Sequence, residues 1–478
     1  SLYSGDDLGT YNKSEVASSS KSSNDDFRLS WGNLTTALRW NHLYSSKLFS
    51  NTTLTISRYN FDTHIRYYDV NKGVTSDYQS TYSSGINDAA ARIDFDYVPA
   101  PGHYIRFGLS NIMHRFNPGV MAYDLNSTGN VKATNALKSG DNNVQAQEQA
   151  LYAEDDYQVT QRLKINMGLH LSGFAVQNQW YSSLQPRLSV NYLVNNRFSI
   201  KAAYSSMTQY LHLLSNSNVG LPTDLWLPST DRVKPMESKQ YALGFVYAIN
   251  SMYELSIEGY YKTMNQMIEY KEGAVYWGQY EDWQNKIETG DGWSYGSEFL
   301  LQKKTGKTTG WIGYTLSWNN RKFPNINEGK TFPARYDERH DISLVVNHQF
   351  NKKVDFGLIW VYCSGTAFTL NAEELIYYSP DKQQTGINTI QSAGVRNGFR
   401  MPAYHRLDLG FNFHKKHKWG ERIWRVGVYN LYSRPNPFFI YTKNETSIDA
   451  SGNASQHITF KQVSLFPIIP SITYSFSF

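Results

Sequence analysis

The chain has 478 residues, and its formal net charge of +5 is too small and too scattered for a nucleic-acid-binding surface. Aromatic residues make up 15% of it and charged residues only 18%, whereas a soluble globular chain normally carries about 25% charged residues. No stretch reaches 18 consecutive apolar residues, so transmembrane helices are excluded. A transmembrane β-barrel reconciles the low charge with a negative mean hydropathy, because lipid-facing apolar residues alternate with polar residues that face the lumen.

The N-terminal segment is long and polar. Ser1–Thr10 (SLYSGDDLGT) has no signal-peptide pattern, and we expect residues 1–26 to form an extracellular loop. The first strand is predicted near Phe27–Tyr44, and a short turn at Ser45–Ser50 follows it. The transmembrane β-barrel is therefore predicted over residues 27–478.

The strand pattern is clearest at Leu163–Ser172 (LKINMGLHLS), where every second residue is apolar. A strand places such a set on one face and the intervening polar residues on the other. The same alternation recurs to the C-terminus and predicts about seventeen antiparallel, up-and-down strands in an all-β fold. Representatives of the set expected to face lipid are Leu163, Ile165, Phe245, Leu316, Phe411 and Phe476.

The connections between predicted strands alternate in length. Short ones, such as Thr160–Arg162 and Asn351–Lys353, alternate with long ones, such as Thr208–Met236, Tyr270–Gly292 and Ser364–Met401. Short periplasmic turns and long extracellular loops are typical of outer-membrane barrels, whereas a soluble all-β repeat protein does not explain a long-looped side. The pattern predicts a location in the outer membrane of a Gram-negative bacterium.

Charged residues also occur inside the predicted strands. They are Arg92, Asp94, Asp96, Glu154, Asp155, Asp156, Arg406 and Asp408. A charge on the lipid face costs about 2–4 kcal/mol at the bilayer midplane. We therefore expect these residues in the lumen wall, where they pair with each other or with a plug; lining a substrate path is the alternative.

The C-terminal segment Ser471–Phe478 (SITYSFSF) again alternates, with Tyr474, Phe476 and Phe478 on the apolar side. A terminal barrel strand that ends in Phe resembles the signal by which outer-membrane assembly machinery recognises its clients. These three residues are the predicted assembly signal.

Several stretches resemble the TonB-dependent receptor family, in particular its subgroup with a carboxypeptidase-like regulatory N-terminal extension. They are Ala150–Tyr157 (ALYAEDDY), Gly220–Pro235 (GLPTDLWLPSTDRVKP), Arg335–Leu344 (RYDERHDISL), Val361–Thr369 (VYCSGTAFT), Pro402–Phe413 (PAYHRLDLGFNF), Val426–Pro437 (VGVYNLYSRPNP) and Ser464–Phe478 (SLFPIIPSITYSFSF). The resemblance implies a barrel of 22 strands around a plugged lumen. The strands predicted here would then be strands 6 to 22, with the plug and the first strands absent from this chain.

Two long loops are rich in aromatic residues, which give large contact area at low entropic cost and are enriched in binding hot spots. One contains Val275–Trp283 (VYWGQYEDW) and the other Leu225–Leu227 (LWL). The candidate ligand-binding residues are Trp226, Glu272, Tyr276, Trp277, Tyr280 and Trp283. The alternative is that these aromatics pack the loops together or belong to the interfacial girdle.

The resemblance implies active import of a scarce nutrient, such as a peptide, a glycan or a siderophore, driven by the TonB energy-coupling complex through the absent N-terminal part. The alternatives are a barrel that scaffolds surface lipoproteins, a passive porin and a barrel phospholipase. We expect no enzyme activity, catalytic residue, cofactor or metal. The expected partners are TonB, an N-terminal fragment with the plug and first strands, a surface lipoprotein, and outer-membrane lipid and lipopolysaccharide, but no nucleic acid.

Overall fold

The computed structural model describes residues 1–18, 21–71, 74–128, 133–139, 143–215, 225–272, 274, 282–369, 373–378, 387–392, 395–448 and 454–477. Two 3₁₀ helices, Trp283–Asn285 and Asn327–Gly329, and 28 strands lie within these residues. The strands are β1 (Leu2–Ser18), β2 (Lys21–Ser45), β3 (Leu48–Asn71), β4 (Val74–Tyr97), β5 (His103–Thr128), β6 (Ala133–Ser139), β7 (Val144–Gln158), β8 (Leu163–Val176), β9 (Gln179–Asn195), β10 (Phe198–Gln209), β11 (Leu211–Leu214), β12 (Leu225–Pro228), β13 (Met236–Ala248), β14 (Tyr253–Tyr270), β15 (Ile287–Lys303), β16 (Thr308–Lys322), β17 (Phe332–Pro333), β18 (His340–Asn351), β19 (Val354–Cys363), β20 (Ala367–Phe368), β21 (Glu373–Tyr378), β22 (Ile387–Ser392), β23 (Phe399–Arg400), β24 (Tyr404–His417), β25 (Gly420–Tyr429), β26 (Pro437–Ile448), β27 (Ala454–Ser464) and β28 (Ile469–Ser477).

One antiparallel sheet of 20 strands dominates the described residues. Two of its strands, β6 and β17, only extend the ladders of β5 and β16. The other eighteen form an up-and-down meander, which we call the wall, in the order β1, β2, β3, β4, β5, β7, β8, β9, β10, β13, β14, β15, β16, β18, β19, β24, β25, β28. The prediction of an all-β, antiparallel, up-and-down architecture is confirmed.

The structure differs from the sequence analysis at the N-terminus, where a loop was expected over residues 1–26. Leu2–Ser18 forms β1 instead, and its ladder to β2 runs from Leu2 opposite Thr36 to Ser18 opposite Lys21. The side chains of this strand are mostly polar, so it lacks the alternation of apolar and polar residues by which a strand is predicted. It still forms a strand, because the hydrogen bonds of the ladder join backbone groups. The wall therefore has eighteen strands rather than about seventeen.

The register of the ladders places the six predicted lipid-facing residues on one common face of the wall. Their ladder neighbours on that face are largely apolar too, for example Val190 beside Ile165, Ile200 and Ile257 beside Phe245, and Phe356 and Val426 beside Phe411. Large apolar side chains on this face are exposed, as expected of a surface that lipid covers. We call it the apolar face, and the opposite one the lumen face.

The two ends of the wall differ in their connections. At one end the strands join through short turns, such as residues 46–47, 196–197 and 352–353. At the other end lie the long connections, including residues 210–235 and 364–403. No helix among the described residues is long and apolar enough to cross a membrane.

The first and last strands of the wall each have a single ladder partner. Within the described residues β1 pairs only with β2, and β28 pairs only with β25. The strand predicted near Phe27–Tyr44 pairs on both sides as β2. The unpaired edges of the described sheet are therefore those of β1 and β28.

Candidate ligand site at the long-loop end of the sheet

A small hairpin stands between β10 and β13 at the long-loop end. Its strands β11 and β12 pair Leu214 with Leu225 and His212 with Leu227. These four side chains are buried, while Leu213 and Trp226, which pair with each other on the other side, are more exposed. Trp226 therefore lies on the side of the hairpin opposite the four buried side chains, where it is half-buried.

The buried side of the hairpin packs into a larger apolar cluster, which we call the mouth cluster. It contains Leu29, Phe61, Tyr82, Leu214, Leu225, Leu227, Val233, Ile268, Tyr270 and Ile287. Leu29, Phe61 and Tyr82 come from β2, β3 and β4, whereas Ile268, Tyr270 and Ile287 come from the tips of β14 and β15. Strands β5, β7, β8, β9, β10 and β13 separate these two groups along the wall. The hairpin therefore reaches across the opening instead of following the wall.

A second apolar cluster anchors the base of the same hairpin. The ring of Tyr210 stacks on the ring of Phe174 with centroids 4.8 Å apart and planes within 2°. The Tyr210 hydroxyl lies 2.7 Å from the Ser172 hydroxyl, which in turn accepts a 2.8 Å hydrogen bond from Gln185. A buried tyrosine buries a large apolar ring, and a hydrogen bond to its hydroxyl fixes the orientation of that ring. This contact fixes where the chain leaves β10 for the opening.

His212 is a buried titratable group on the hairpin, outside the membrane-spanning strands. Its side chain is 2% exposed, and its Nε2 lies 3.2 Å from the Ser229 hydroxyl. Burial lowers the pKa of His212 from 6.5 to about 4, and a hydrogen bond to the backbone of Lys234 opposes this shift. The imidazole is therefore neutral at pH 7 in the closed hairpin.

The two aromatic loops of the sequence analysis meet at this place. Arg232 binds Asp282 at 2.6 Å, and the Thr230 hydroxyl donates to Gln284 at 2.6 Å. Trp283 is half-buried and packs against the mouth cluster. The loop between β14 and β15 thus lies against the loop that carries the hairpin.

A buried carboxylate ties three further segments together. Glu269 near the tip of β14 is 4% exposed, and its two oxygens bind Arg321 of β16 at 2.6 Å and Arg396 at 2.9 Å. Arg396 lies in the connection of residues 364–403 and is itself buried. A buried charge is stable only when it is paired, so removing one partner leaves an uncompensated charge. Glu269 therefore holds this long connection against the wall.

Asp337 performs the same role lower in the loop between β16 and β18. It is 1% exposed, binds Arg339 at 3.3 Å and Arg400 at a short distance, and accepts a 2.6 Å hydrogen bond from the backbone N–H of Asn319. The Arg339 guanidinium also lies 4.5 Å from the ring centre of Trp318. The loop of residues 323–339 is thus fixed by charge as well as by apolar packing.

Three of the six candidate ligand residues are described. Trp226 is on the side of the hairpin that faces away from the mouth cluster, whereas Trp283 packs against the cluster itself. Glu272 is exposed, but its Oε1 accepts a 3.0 Å hydrogen bond from the Asn327 N–H, so it also holds a neighbouring loop. Tyr276, Trp277 and Tyr280 lie outside the described residues.

The strand-borne charges mostly follow expectation. Arg92 and Asp94 pair at 2.8 Å on the lumen face, as do Arg406 and Asp408 at 2.9 Å. A lumen-face pocket of about 330 Å³ adjoins the first pair, and it is also lined by Arg106, Glu154, His170 and Arg187. A plug or a ligand in this part of the lumen would meet this basic wall.

The expectation for Asp155 is wrong. Its ladder partners are Ile105 and Met167, so it shares the apolar face, where it lies 2.7 Å from His103 Nδ1. Both residues are close to short turns, and the cost of charge on the lipid face falls to nearly zero near the interfaces. The position of Asp155 near the membrane interface therefore sets the cost of its charge, more than the face of the strand that it occupies.

Sequence reasoning missed Glu269, Asp337, Arg321, Arg396 and Arg400. The segment Arg335–Leu344 is noted above only for its resemblance, although it contains the buried Asp337. Single charges in polar loops carry no periodic signal, and their partners are distant in sequence. The only available hint is an acidic residue next to apolar ones at a strand tip, as in Met267–Tyr270 (MIEY).

Comparison with known proteins identifies the family. A family model described as TonB dependent receptor-like, beta-barrel, matches residues 1–431. The chain belongs to this family. It is an outer-membrane, TonB-dependent transporter barrel of a Gram-negative bacterium, so its short turns are periplasmic and its long loops extracellular. No curated protein matches the chain.

Solved structures of TonB-dependent receptors share the fold. FyuA, the ferric yersiniabactin uptake receptor from Yersinia pestis, is 12% identical with a TM-score of 0.54, over 100% of this chain and 79% of that chain. The ferripyoverdine receptor of Pseudomonas aeruginosa is 10% identical with a TM-score of 0.53, over 98% of this chain and 69% of that chain. Fiu, the ferric-catecholate import receptor from E. coli K12, is 11% identical with a TM-score of 0.51, over 99% of this chain and 80% of that chain. At such identities the likeness concerns the fold alone; the family consists of receptors and transporters, consistent with a protein that is not an enzyme.

Proposed function

We propose that this TonB-dependent barrel imports a scarce nutrient that binds at its extracellular mouth, beside the hairpin β11–β12. The observation that carries the proposal is the hairpin itself, which packs one side across the opening and leaves Trp226 on the other. Rigid aromatics on such a surface give contact area at low entropic cost. Trp226 and Trp283 are the ligand-contacting residues of the proposal, with Tyr276, Trp277 and Tyr280 as further candidates from the same loops.

The chemical class of the ligand is a peptide, a glycan or a siderophore. The solved neighbours named above are receptors for ferric siderophores, which makes ferric chelates the first class to test. Glu272 orients polar groups of the ligand in this proposal, although its contact with Asn327 shows that it also supports the mouth. The subgroup with a carboxypeptidase-like extension remains part of the proposal and is supported by stretches such as Val426–Pro437.

The test is a Trp226→Ala, Trp283→Ala double variant, with uptake of each ligand class measured at equal surface expression. Trp419 is the matched control, because it is 79% exposed in a periplasmic turn. Uptake should fall at least tenfold in the double variant, about 1.4 kcal/mol of lost binding, and stay unchanged in Trp419→Ala. Wild-type uptake by the double variant would contradict the site, and lost capture of a surface lipoprotein with intact uptake would favour the scaffold function.

The energy source and the missing contacts of the wall belong to the same proposal. Import should stop in cells without TonB, whereas transport through a passive porin would continue.

We also propose that further strands pair with the free edges of β1 and β28 and enclose a plug, so that the wall supplies the last eighteen of 22 strands. The support is energetic, because each backbone group left unpaired in hydrocarbon costs several kcal/mol. Folded, heat-modifiable protein should require co-production of an N-terminal fragment; a stable closed barrel made of residues 1–478 alone would contradict this.

A further inference from the structure

The lumen face of the wall contains a recess, which we call the arginine recess. It is the pocket of about 330 Å³ described above, and side chains of β4, β5, β7, β8 and β9 line it. Gly168 of β8 has no side chain to fill the space between Glu154 and Arg187, its ladder partners on β7 and β9. The neighbouring side chains therefore surround a concave site that opens to the lumen.

The arginine recess lies far below the extracellular mouth. Arg106 is close to His103, the periplasmic start of β5, whereas Phe116 of the apolar cluster at the base of the hairpin is ten residues further along the same strand. At about 3.3 Å per residue, these two levels are roughly 33 Å apart along the strand. The recess is therefore separate from the ligand site at the mouth, and it lies in the periplasmic half of the lumen.

Two of the three arginines of the recess are paired within the wall. Arg92 binds Asp94 at 2.8 Å, and Arg106 binds Glu154 at 2.6 Å. The hydroxyl of Tyr152 also donates to Asp94, at 2.6 Å. These contacts hold the side chains in place, and each carboxylate compensates the charge of its arginine.

The third arginine, Arg187, has no such partner. It is exposed on the lumen face and forms no ion pair or side-chain hydrogen bond with any residue that the structure describes. On the neighbouring strand, the Nδ1 atom of His170 is buried and has no hydrogen-bond partner among these residues either. A buried polar atom without a partner is destabilising, so a ligand that supplies one is favoured. The recess thus offers one uncompensated positive charge beside one unsatisfied nitrogen atom.

We propose that the arginine recess binds a carboxylate group of the imported ligand on its way to the periplasm. The planar guanidinium of Arg187 matches a carboxylate through two parallel N–H···O hydrogen bonds. His170 supplies its free ring nitrogen, and Gly168 leaves room for the group between them. The inference rests on the import function proposed above. It adds that the ligand bears a carboxylate and passes along β7, β8 and β9.

The first test is direct binding of tricarballylate, a small tricarboxylate, measured by calorimetry. The folded protein is purified from outer membranes together with its N-terminal fragment. Arg187→Gln removes the charge but keeps a polar side chain, and it should weaken binding about tenfold, because a charge-assisted pair is lost. His170→Ala should weaken binding about three-fold, since it removes only an uncharged partner.

Arg425→Gln is the matched control for the binding test. Arg425 of β25 lies opposite Asn412 on the lumen face, is exposed, and has no ion pair or side-chain hydrogen bond in the described part of the chain. It differs from Arg187 in lying outside the recess, so its replacement should leave binding unchanged. Equal loss in the two variants would overturn the proposal, because binding would then follow the charge of the lumen as a whole.

The second test separates the recess from the mouth in cells. Arg187→Gln should lower TonB-dependent uptake several-fold and leave ligand binding at the cell surface unchanged, whereas the Trp226→Ala, Trp283→Ala variant should lower both. If no uptake depends on this protein but tricarballylate still binds through Arg187, the import function fails and the carboxylate site stands. Surface binding that falls in parallel with uptake in Arg187→Gln would overturn the assignment of a separate, deeper site.

Three further results would overturn the proposal. The first is a wild-type protein that does not bind tricarballylate. The second is tighter binding of inorganic phosphate than of tricarballylate, which would contradict a carboxylate site. The third is entry of vancomycin into cells that lack TonB and carry Arg187→Gln, because Arg187 would then hold an acidic side chain of the plug in place.

Discussion

The wall and the extracellular mouth are stabilised in different ways. In the wall, backbone ladders supply the order, and side chains need only alternate between lipid and lumen. In the mouth, order depends on side chains distant in sequence, such as Glu269, which binds Arg396, and Leu227, which belongs to the same apolar cluster as Phe61. A wall residue is therefore replaceable by another of the same polarity, whereas a mouth residue depends on its particular partner. Specificity can reside in the mouth because the wall does not need it.

The largest expected effect concerns assembly of the wall in the outer membrane. Deleting Phe478 should remove most of the folded, heat-modifiable form from outer membranes, because Phe478 with Tyr474 and Phe476 is the predicted assembly signal. Tyr474 and Phe476 lie in β28 on the apolar face, and Phe478 is outside the described residues. Phe411→Ala, on the same face of β24, is the control and should retain folded protein. Equal yields in both variants would remove the claimed role of the terminal Phe.

Glu269→Ala should disturb the mouth alone. It leaves Arg321 and Arg396 without their buried partner, which costs about 3–5 kcal/mol and should release the connection of residues 364–403. The measurement is limited proteolysis of intact cells together with the heat-modifiable band. Cleavage in this connection should accelerate while the band is unchanged. Lys330→Ala is the control, because its exposed pair with Glu328 should contribute nothing measurable. Loss of the folded band would show that mouth and wall are one cooperative unit.

Leu227→Ala should loosen the hairpin with a slightly smaller effect. Removing a fully buried leucine costs about 2–5 kcal/mol, whereas Leu213→Ala on the exposed side of the same hairpin should cost less than about 1 kcal/mol. Hydrogen–deuterium exchange at residues 211–214 and 225–228 is the measurement. Faster exchange is expected only for the buried position. Similar exchange in both variants would mean that the hairpin is not packed across the opening.

The smallest predicted effect is a dependence of the hairpin on pH. The folded pKa of His212 is about 4, below the ordinary value of 6.5, so the opened hairpin binds a proton that the closed one does not. The closed hairpin is fully stable above pH 6.5 and loses up to roughly 3 kcal/mol as the pH falls from 6.5 to 4. Exchange at residues 211–214 should therefore accelerate in this window. The His212→Gln variant should show a flat profile, and an equally steep one would assign the pH dependence to another group.

The six residues predicted to face lipid show what a pattern search does well. Ile165, Phe245 and Phe411 share a face with their ladder neighbours, because a period of two directly encodes which side of a strand a residue occupies. The same search failed at β1, where both faces are polar, and at Asp155, where depth rather than face sets the cost of a charge. The local pattern therefore predicts which face of the sheet a residue occupies. It does not tell how deep in the membrane the residue lies or which polar segments form strands.

The order of residues along the chain is enough to predict the all-β architecture, the alternation of short turns with long loops and the resemblance to TonB-dependent receptors. These features are written in neighbouring residues, so they need no knowledge of distant contacts. Two features are visible only in the folded chain: the hairpin β11–β12 crosses the opening, and Glu269 joins Arg321 and Arg396. Each of these depends on residues that the curvature of the sheet brings together. A contact across the opening produces no periodic pattern in the sequence, so it cannot be predicted from neighbouring residues.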